Sequence, residues 1–251
     1  MTHELRWIVP NWPAHLRVKA RSTTRVGGQS APPFDALNLA HHVNDNATNV
    51  EENRKILSEY LPAKPLWLNQ IHSTQLVENN AAASQNQEAD ASWTNSPNQV
   101  CVVMTADCLP VLLTDEGGQV VAAVHAGWRG LADGIVEKTI QEILPNSQGK
   151  LMAWMGPAIS QRAFQVGSEV KAAFAHIEDF AHAFMPDEQE ADKFYCDLYA
   201  LCRKVLNAHG VEDVYGGEYC TYTQSELFFS YRRVHQTGRM ATMIWIDPAQ
   251  T

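Results

Sequence analysis

Residues 102–130, VVMTADCLPVLLTDEGGQVVAAVHAGWRG, place one cysteine and one histidine at the ends of two very apolar runs. Cys108 follows Thr105-Ala106-Asp107 and precedes Leu109-Pro110, where one strand-like run breaks before the next begins. Side chains at such breaks face clefts. His125 closes the run QVVAAV at the mouth of a glycine-rich turn, and a hairpin joining the two runs brings their ends together. A third candidate, His72, lies in WLNQIHSTQ after another short apolar run. One Cys and two His make the ligand set of a catalytic zinc site, in which three protein ligands leave a fourth position open. The short-range spacings C-x-x-C and H-E-x-x-H are absent, so any such set is assembled from separate strand ends. Without a metal, the same residues offer a Cys108 nucleophile with His125 as its base. A lone cysteine is also a small apolar core filler. Cys202, on a helix face with Leu198, Leu201, Val205 and Leu206, is assigned to the core.

Anion binding has its own candidates. In HAGWRGLADG, the small residues Ala126, Gly127 and Gly130 let backbone approach a ligand, a helix with free N–H groups starts soon afterwards, and Arg129 adds a guanidinium fork. The same turn also reads as a tight strand-to-helix connection. Arg25 in TRVGGQS and the pair Arg232-Arg233 are further candidates, while Gly27-Gly28 reads as a hairpin turn. Asp107 adjoins Cys108 and is either a proton shuttle or a cap on the turn before Leu109. Glu169, Tyr222 and Phe229 are assigned to core or surface in preference to a base pocket.

These residues need a scaffold. Apolar spacings of three and four predict helices over 49–61, 133–144, 168–177 and 196–210, the last with Asp197 as N-cap and Gly210 as stop. Short β-branched or aromatic runs predict strands at QVCVVMTA, LPVLLTD, QVVAAVHA, KLMAWMG, LFFSYRR and RMATMIWI, with DEGGQ as a hairpin turn. Hairpins mixed with helices imply an α+β fold with mixed sheets. No linker or repeat divides the 251 residues, so 1–251 reads as one domain. No signal peptide or membrane span is visible, which places the chain in the cytoplasm. Five cysteines, an odd number without export signals, argue against a disulfide framework. A net charge of -9 disfavours nucleic acid and anionic membranes as partners and leaves a small-molecule substrate as the default. The sequence is equally consistent with a monomer and a homodimer.

The motifs STTRVGGQS, LNLAHHVNDN, NQIHS, EADASWT, TADCLPVLL, VHAGWRG, GPAIS, FQVGSEV and FFSYRR…TGRMATMIW occur in the order seen in the bacterial laccase-domain family, which the chain resembles over about 21–246. That family also goes under the names polyphenol oxidase, purine nucleoside phosphorylase and peptidoglycan editing factor. The resemblance implies a single domain of mixed β-sheets covered by helices, a layered α/β sandwich, with zinc held by His72, Cys108 and His125. It further implies phosphorolysis of adenosine, inosine and S-methyl-5'-thioadenosine, with adenosine deamination as a companion activity. A second implied function is a peptidoglycan-editing hydrolase that removes L-Ser from UDP-MurNAc-L-Ser. The multicopper name fits the residues poorly: ten histidines include no H-x-H pair, and the adjacent His41 and His42 would face opposite sides of a strand. Copper remains an alternative metal for the Cys/His site. Deamination suits a zinc site, which lowers the pKa of water toward about 7, although the H-x-E and P-C-x-x-C deaminase signature is missing. A binding module without catalysis is disfavoured by three ligands drawn from separate strand ends.

Overall fold

The computed structural model describes residues 4–248, which form a mixed α+β domain of three sheets. In chain order the elements are β1 (Trp7–Ile8), β2 (Val18–Thr23), α1 (Ala47–Ser58), β3 (Leu76–Glu78), β4 (Ala91–Thr94), β5 (Cys101–Thr105), β6 (Leu109–Asp115) and β7 (Val121–Ala126). They continue with α2 (Trp128–Ala132), α3 (Ile135–Ile143), β8 (Leu151–Met155), β9 (Gln165–Gly167), α4 (Ser168–Ala173), β10 (Phe184–Pro186), β11 (Lys193–Cys196), α5 (Leu198–Ala208), β12 (Asp213–Gly216) and β13 (Met240–Ile246). A four-stranded sheet runs β1-β2-β13-β5, a six-stranded sheet β12-β8-β6-β7-β4-β3, and a small sheet β10-β11-β9. The six-stranded sheet is mixed, with parallel pairs β3/β4 and β12/β8 flanking an antiparallel centre.

Strand alternation explains how the layers stack. In β6 and β7, Val111, Leu113, Ala122 and Val124 face a core completed by α3 and α5. The intervening Leu112, Val121 and Ala123 face Val103 of β5 and Ile244 of β13 across the gap between the two large sheets. The outer face of the four-stranded sheet is covered by α1 and the segment around Leu37 and Leu39. The chain passes from one large sheet to the other between Thr105 and Leu109, so the break at Asp107-Cys108 is the crossover itself.

The hairpin expected at DEGGQ is present, with Thr114 opposite Val121. Asp197 caps α5 by accepting a hydrogen bond from Ala200 N, and Gly210 sits beyond the helix end at φ 79. Helix α4 is shorter than expected and ends at Ala173.

Two local expectations fail. LFFSYRR is an irregular loop, because the Arg233 guanidinium donates to the carbonyls of Thr221, Tyr222 and Phe228 and so satisfies backbone that a strand partner would otherwise serve. Its aromatic content reflects burial, Phe228 and Phe229 being fully enclosed between the large sheets. Gly27-Gly28 makes no hairpin, since β2 pairs with β1 and β13; a Cβ on Gly28 would strike the backbone of Ala36 and Leu37.

No helix among the described residues is long and apolar enough to cross a membrane. Leu112 lies fully buried at the sheet-to-sheet interface. Leu112→Ala is expected to destabilise the fold by about 2–5 kcal/mol, read as a lowered midpoint in urea unfolding with an unchanged slope.

Candidate metal centre

His72, Cys108 and His125 converge, their ligand atoms all lying within 4.8 Å of one another. His125 is the penultimate residue of the central strand β7, on the face shared by Val121 and Ala123 and opposite Pro110 in register. Cys108 is the last residue of the crossover, and Asp107 before it takes φ 92, a conformation that turns the chain from one sheet into the other. His72 sits in an irregular loop at φ 59. Cys108 Sγ lies 3.9 Å from His72 Nε2.

Asp90 organises the two histidines. Its carboxylate is fully buried and accepts from His125 Nδ1 at 2.8 Å, from the backbone N–H of His72 at 3.0 Å and of Ser73 at 2.6 Å, and from Ser73 Oγ at 2.8 Å. The bond to Nδ1 fixes the imidazole so that Nε2 keeps its lone pair for the cluster, the usual role of a carboxylate behind a metal-binding histidine. Burial alone would raise the Asp90 carboxyl, but His125 and the Ser73 amide outweigh it and hold the group below its ordinary range.

The cluster is also electrostatically paired. Burial pushes the Cys108 thiol up, yet the adjacent His125 charge and hydrogen bonds from His125 and His72 bring it down to about 6. Burial likewise lowers His125, while the Cys108 thiolate and the Asp90 carboxylate raise it to about 9. A thiolate beside an imidazolium is thus the favoured state without a metal, and the thiolate is also the metal-binding form. Gly127 completes the cradle: a Cβ there would lie 2.9 Å from His72 Cδ2 and 3.1 Å from Cys108 Sγ.

The cluster forms part of the wall of a cavity of about 520 Å³, within the range of small-molecule sites. Three arginines line it, each above an aromatic ring that also lines it: Arg129 over Trp128, Arg232 over Phe164 and Arg239 over Tyr231. Asp107 lines it too, with Oδ1 accepting from Thr221 Oγ1 at 2.6 Å and Oδ2 from Ser230 Oγ at 3.1 Å and Arg232 N at 2.7 Å. These bonds tie the crossover to the loop after Cys220.

Arg25 does not line the cavity; its guanidinium pairs with Asp35 at 3.0 Å and donates to Ser225 O. His41 and His42 lie in a 3-10 turn and not a strand, His41 bonding Glu51 at 2.8 Å while His42 lines the cavity. Glu169, Tyr222 and Phe229 are not part of the cavity wall, and Cys202 is core. Sequence reasoning missed Asp90 and Arg239 as site residues, although both stood in quoted motifs, EADASWT and TGRMATMIW.

Among the described residues no other group of metal-type side chains converges in this way, so the ligands present suit one ion and not a multinuclear cluster. Fold and site together define a three-sheet domain with a one-cysteine, two-histidine cluster at the seam between its two large sheets. A family model described as multi-copper polyphenol oxidoreductase laccase matches residues 19–247, and the chain belongs to that family. It is 49% identical over 241 residues to purine nucleoside phosphorylase YfiH of Escherichia coli, covering 95% of this chain and 98% of that protein. It is likewise 49% identical to a purine nucleoside phosphorylase of Pseudomonas aeruginosa, over 96% of this chain and 98% of the relative. A crystal structure of a Neisseria meningitidis protein superposes with a TM-score of 0.90 at 45% identity, covering 96% and 99% of the two chains. That of YlmD from Geobacillus stearothermophilus gives 0.83 at 27% identity, with 96% of each chain covered.

Two outcomes follow from the geometry. Gly127→Ala should displace His72 or Cys108 and lower metal occupancy sharply while the far-ultraviolet spectrum stays native. In chelator-treated protein the thiolate population of Cys108 should be present above pH about 6 and lost below it. Alkylation of Cys108 by iodoacetamide, followed by mass spectrometry, should therefore already be near its plateau at pH 7, whereas an ordinary thiol titrates near about 8.5. A midpoint at the ordinary value would contradict the pairing with His125.

Proposed function

We propose that the chain is a metal-dependent purine nucleoside phosphorylase acting on adenosine, inosine and S-methyl-5'-thioadenosine, with zinc held by His72, Cys108 and His125 and with adenosine deamination at the same site. The observation that carries this reading is the meeting, in one cavity of about 520 Å³, of the three-ligand cluster with a wall of arginines and aromatic rings. Relatives 49% identical over nearly their whole length bear the phosphorylase name, which supports the same reaction here. The donor set fits zinc: one thiolate, two imidazoles, Nδ1 of His125 engaged by Asp90, and no Cβ at position 127 to crowd them. Copper suits the same nitrogen and sulfur donors, and oxidation of phenols would then be incidental.

When bound, zinc supplies Lewis-acid polarisation of an oxygen at its open position. The chain supplies the rest. Trp128, Phe164 and Tyr231 offer faces on which a purine stacks, and the arginines oppose the negative charge of phosphate. Asp107, through Thr221, Ser230 and Arg232 N, holds the loop after Cys220 against the cavity; its oxygens are committed to that task in preference to proton transfer.

Purified protein should contain about one zinc per chain, and Cys108→Ala should remove metal and both activities while leaving the fold intact. Chelation should suppress ribose 1-phosphate formation and ammonia release in parallel, and zinc should restore both. Full turnover of the metal-free protein would overturn the metal-dependent reading and favour a Cys108–His125 dyad. If chelation stops ammonia release alone, the shared site is wrong and phosphorolysis rests on positioning and anion binding.

A further inference from the structure

The five arginines at and near the site differ in what their guanidinium groups already bind. Arg25 is spent on Asp35 and Ser225 O. Arg233 is spent on three backbone carbonyls. Arg232 is exposed and gives Nη1 to Gln165 O. Arg129, the candidate singled out by the glycine-rich turn, is exposed and rests on its neighbour Trp128, within α2 of only five residues.

Arg239 is different. Its backbone N–H donates to Asn38 Oδ1, a fully buried side chain, which fixes the base of the residue. Its guanidinium makes two hydrogen bonds among the described residues, both from Nη1, to Thr237 O at 2.9 Å and Gly238 O at 3.0 Å. A guanidinium has five N–H donors, so Nε and both hydrogens of Nη2 are left over, and together they form the edge that grips two oxygens of one anion side by side. No carboxylate pairs with it among the described residues. The one carboxylate lining the cavity, Asp107, is committed to Thr221, Ser230 and Arg232 N. The group is withdrawn from bulk water, and burial lowers its pKa, partly offset by the charges of Cys108 and Asp107. A half-buried charge without a paired carboxylate is only partly compensated, and an anion seated against its free edge completes that compensation.

Resting on the phosphorolysis reading, we propose that Arg239 is the residue that grips orthophosphate in the cavity, while the exposed Arg129 and Arg232 act at its mouth by steering anions inward. In the reaction, one oxygen of hydrogen phosphate forms a bond to C1' of the ribose and the C1'–N9 bond breaks. Its electron pair leaves with the purine, and the phosphate's proton ends on the purine nitrogen. Arg239 binds the two oxygens that take no part in bond formation and so sets the direction of the third. An exposed guanidinium is screened by salt within about 8–10 Å at physiological ionic strength, whereas one that is partly buried is screened far less.

Calorimetric titration of zinc-loaded protein with inorganic phosphate alone tests the assignment, joined to the phosphate dependence of inosine cleavage. Arg239→Gln should weaken phosphate binding and raise the phosphate KM by about 10-fold or more, with zinc content and inosine KM unchanged. Arg239→Lys, which keeps the charge and loses the fork, should fall between the two and covers the case in which the Gln variant fails to fold. Arg129→Ala should lose affinity at low salt and match the unmodified protein at high salt. The proposal is overturned if the unmodified protein binds no phosphate, or if Arg239→Gln binds it as tightly as the unmodified protein does. Phosphate binding that depends on Arg239 in a protein that cleaves no nucleoside would uphold the anion site and reject phosphorolysis. Phosphorolysis indifferent to Arg239→Gln would do the reverse.

Discussion

The buried carboxylate of Asp90 is the interaction on which the site depends. It ends the loop carrying His72 by accepting three successive backbone N–H groups, those of Ile71, His72 and Ser73, and it orients the ring of His125 near the end of β7. Burying a carboxylate without partners costs several kcal/mol, and its five donors offset that cost only while both segments keep their places. The carboxylate therefore links the position of one ligand to that of another. Cys108 needs no such tether, because the crossover between the two large sheets places it.

That crossover also explains where the cavity lies. The chain crosses from one stacked sheet to the other between Thr105 and Leu109, and the cavity opens beside that crossover, with Ala106, Asp107 and Cys108 in its wall. The loop after Cys220 closes one side of that space. It has no ladder of its own, so Arg233 satisfies its carbonyls from within and Asp107 fastens it from the crossover. A single aspartate thus joins the segment bearing a cluster cysteine to the segment bearing Arg232. The left-handed φ of Asp107, 92°, is retained because three hydrogen bonds on its carboxylate hold the turn.

What could be read from sequence was local or strongly periodic. The β6–β7 hairpin announced itself through DEGGQ between alternating apolar runs, and with it the approach of Cys108 to His125. Helix α5 was legible from its cap and its apolar face. LFFSYRR was misread because aromatic residues report burial as readily as they report a strand, and the carbonyl partners supplied by Arg233 leave no pattern in the chain. Asp90 and Arg239 were hidden for a different reason. Asp90 acts on a histidine 35 positions away, and Arg239 is anchored by a residue 201 positions away. One buried aspartate in EADASWT looks like any other until its partners are known. The same holds for choosing among arginines: Arg25, Arg129 and Arg239 are equal in sequence, and the fold alone decides which line the cavity, which are exposed and which donors are already used.

X-ray absorption at the zinc edge of the purified protein measures the centre directly. The expected spectrum has one sulfur at about 2.3 Å and imidazole nitrogens at about 2.0–2.1 Å, in a ratio of one sulfur to two imidazoles. A zinc shell without sulfur, or with more than one, would contradict a centre built from His72, Cys108 and His125.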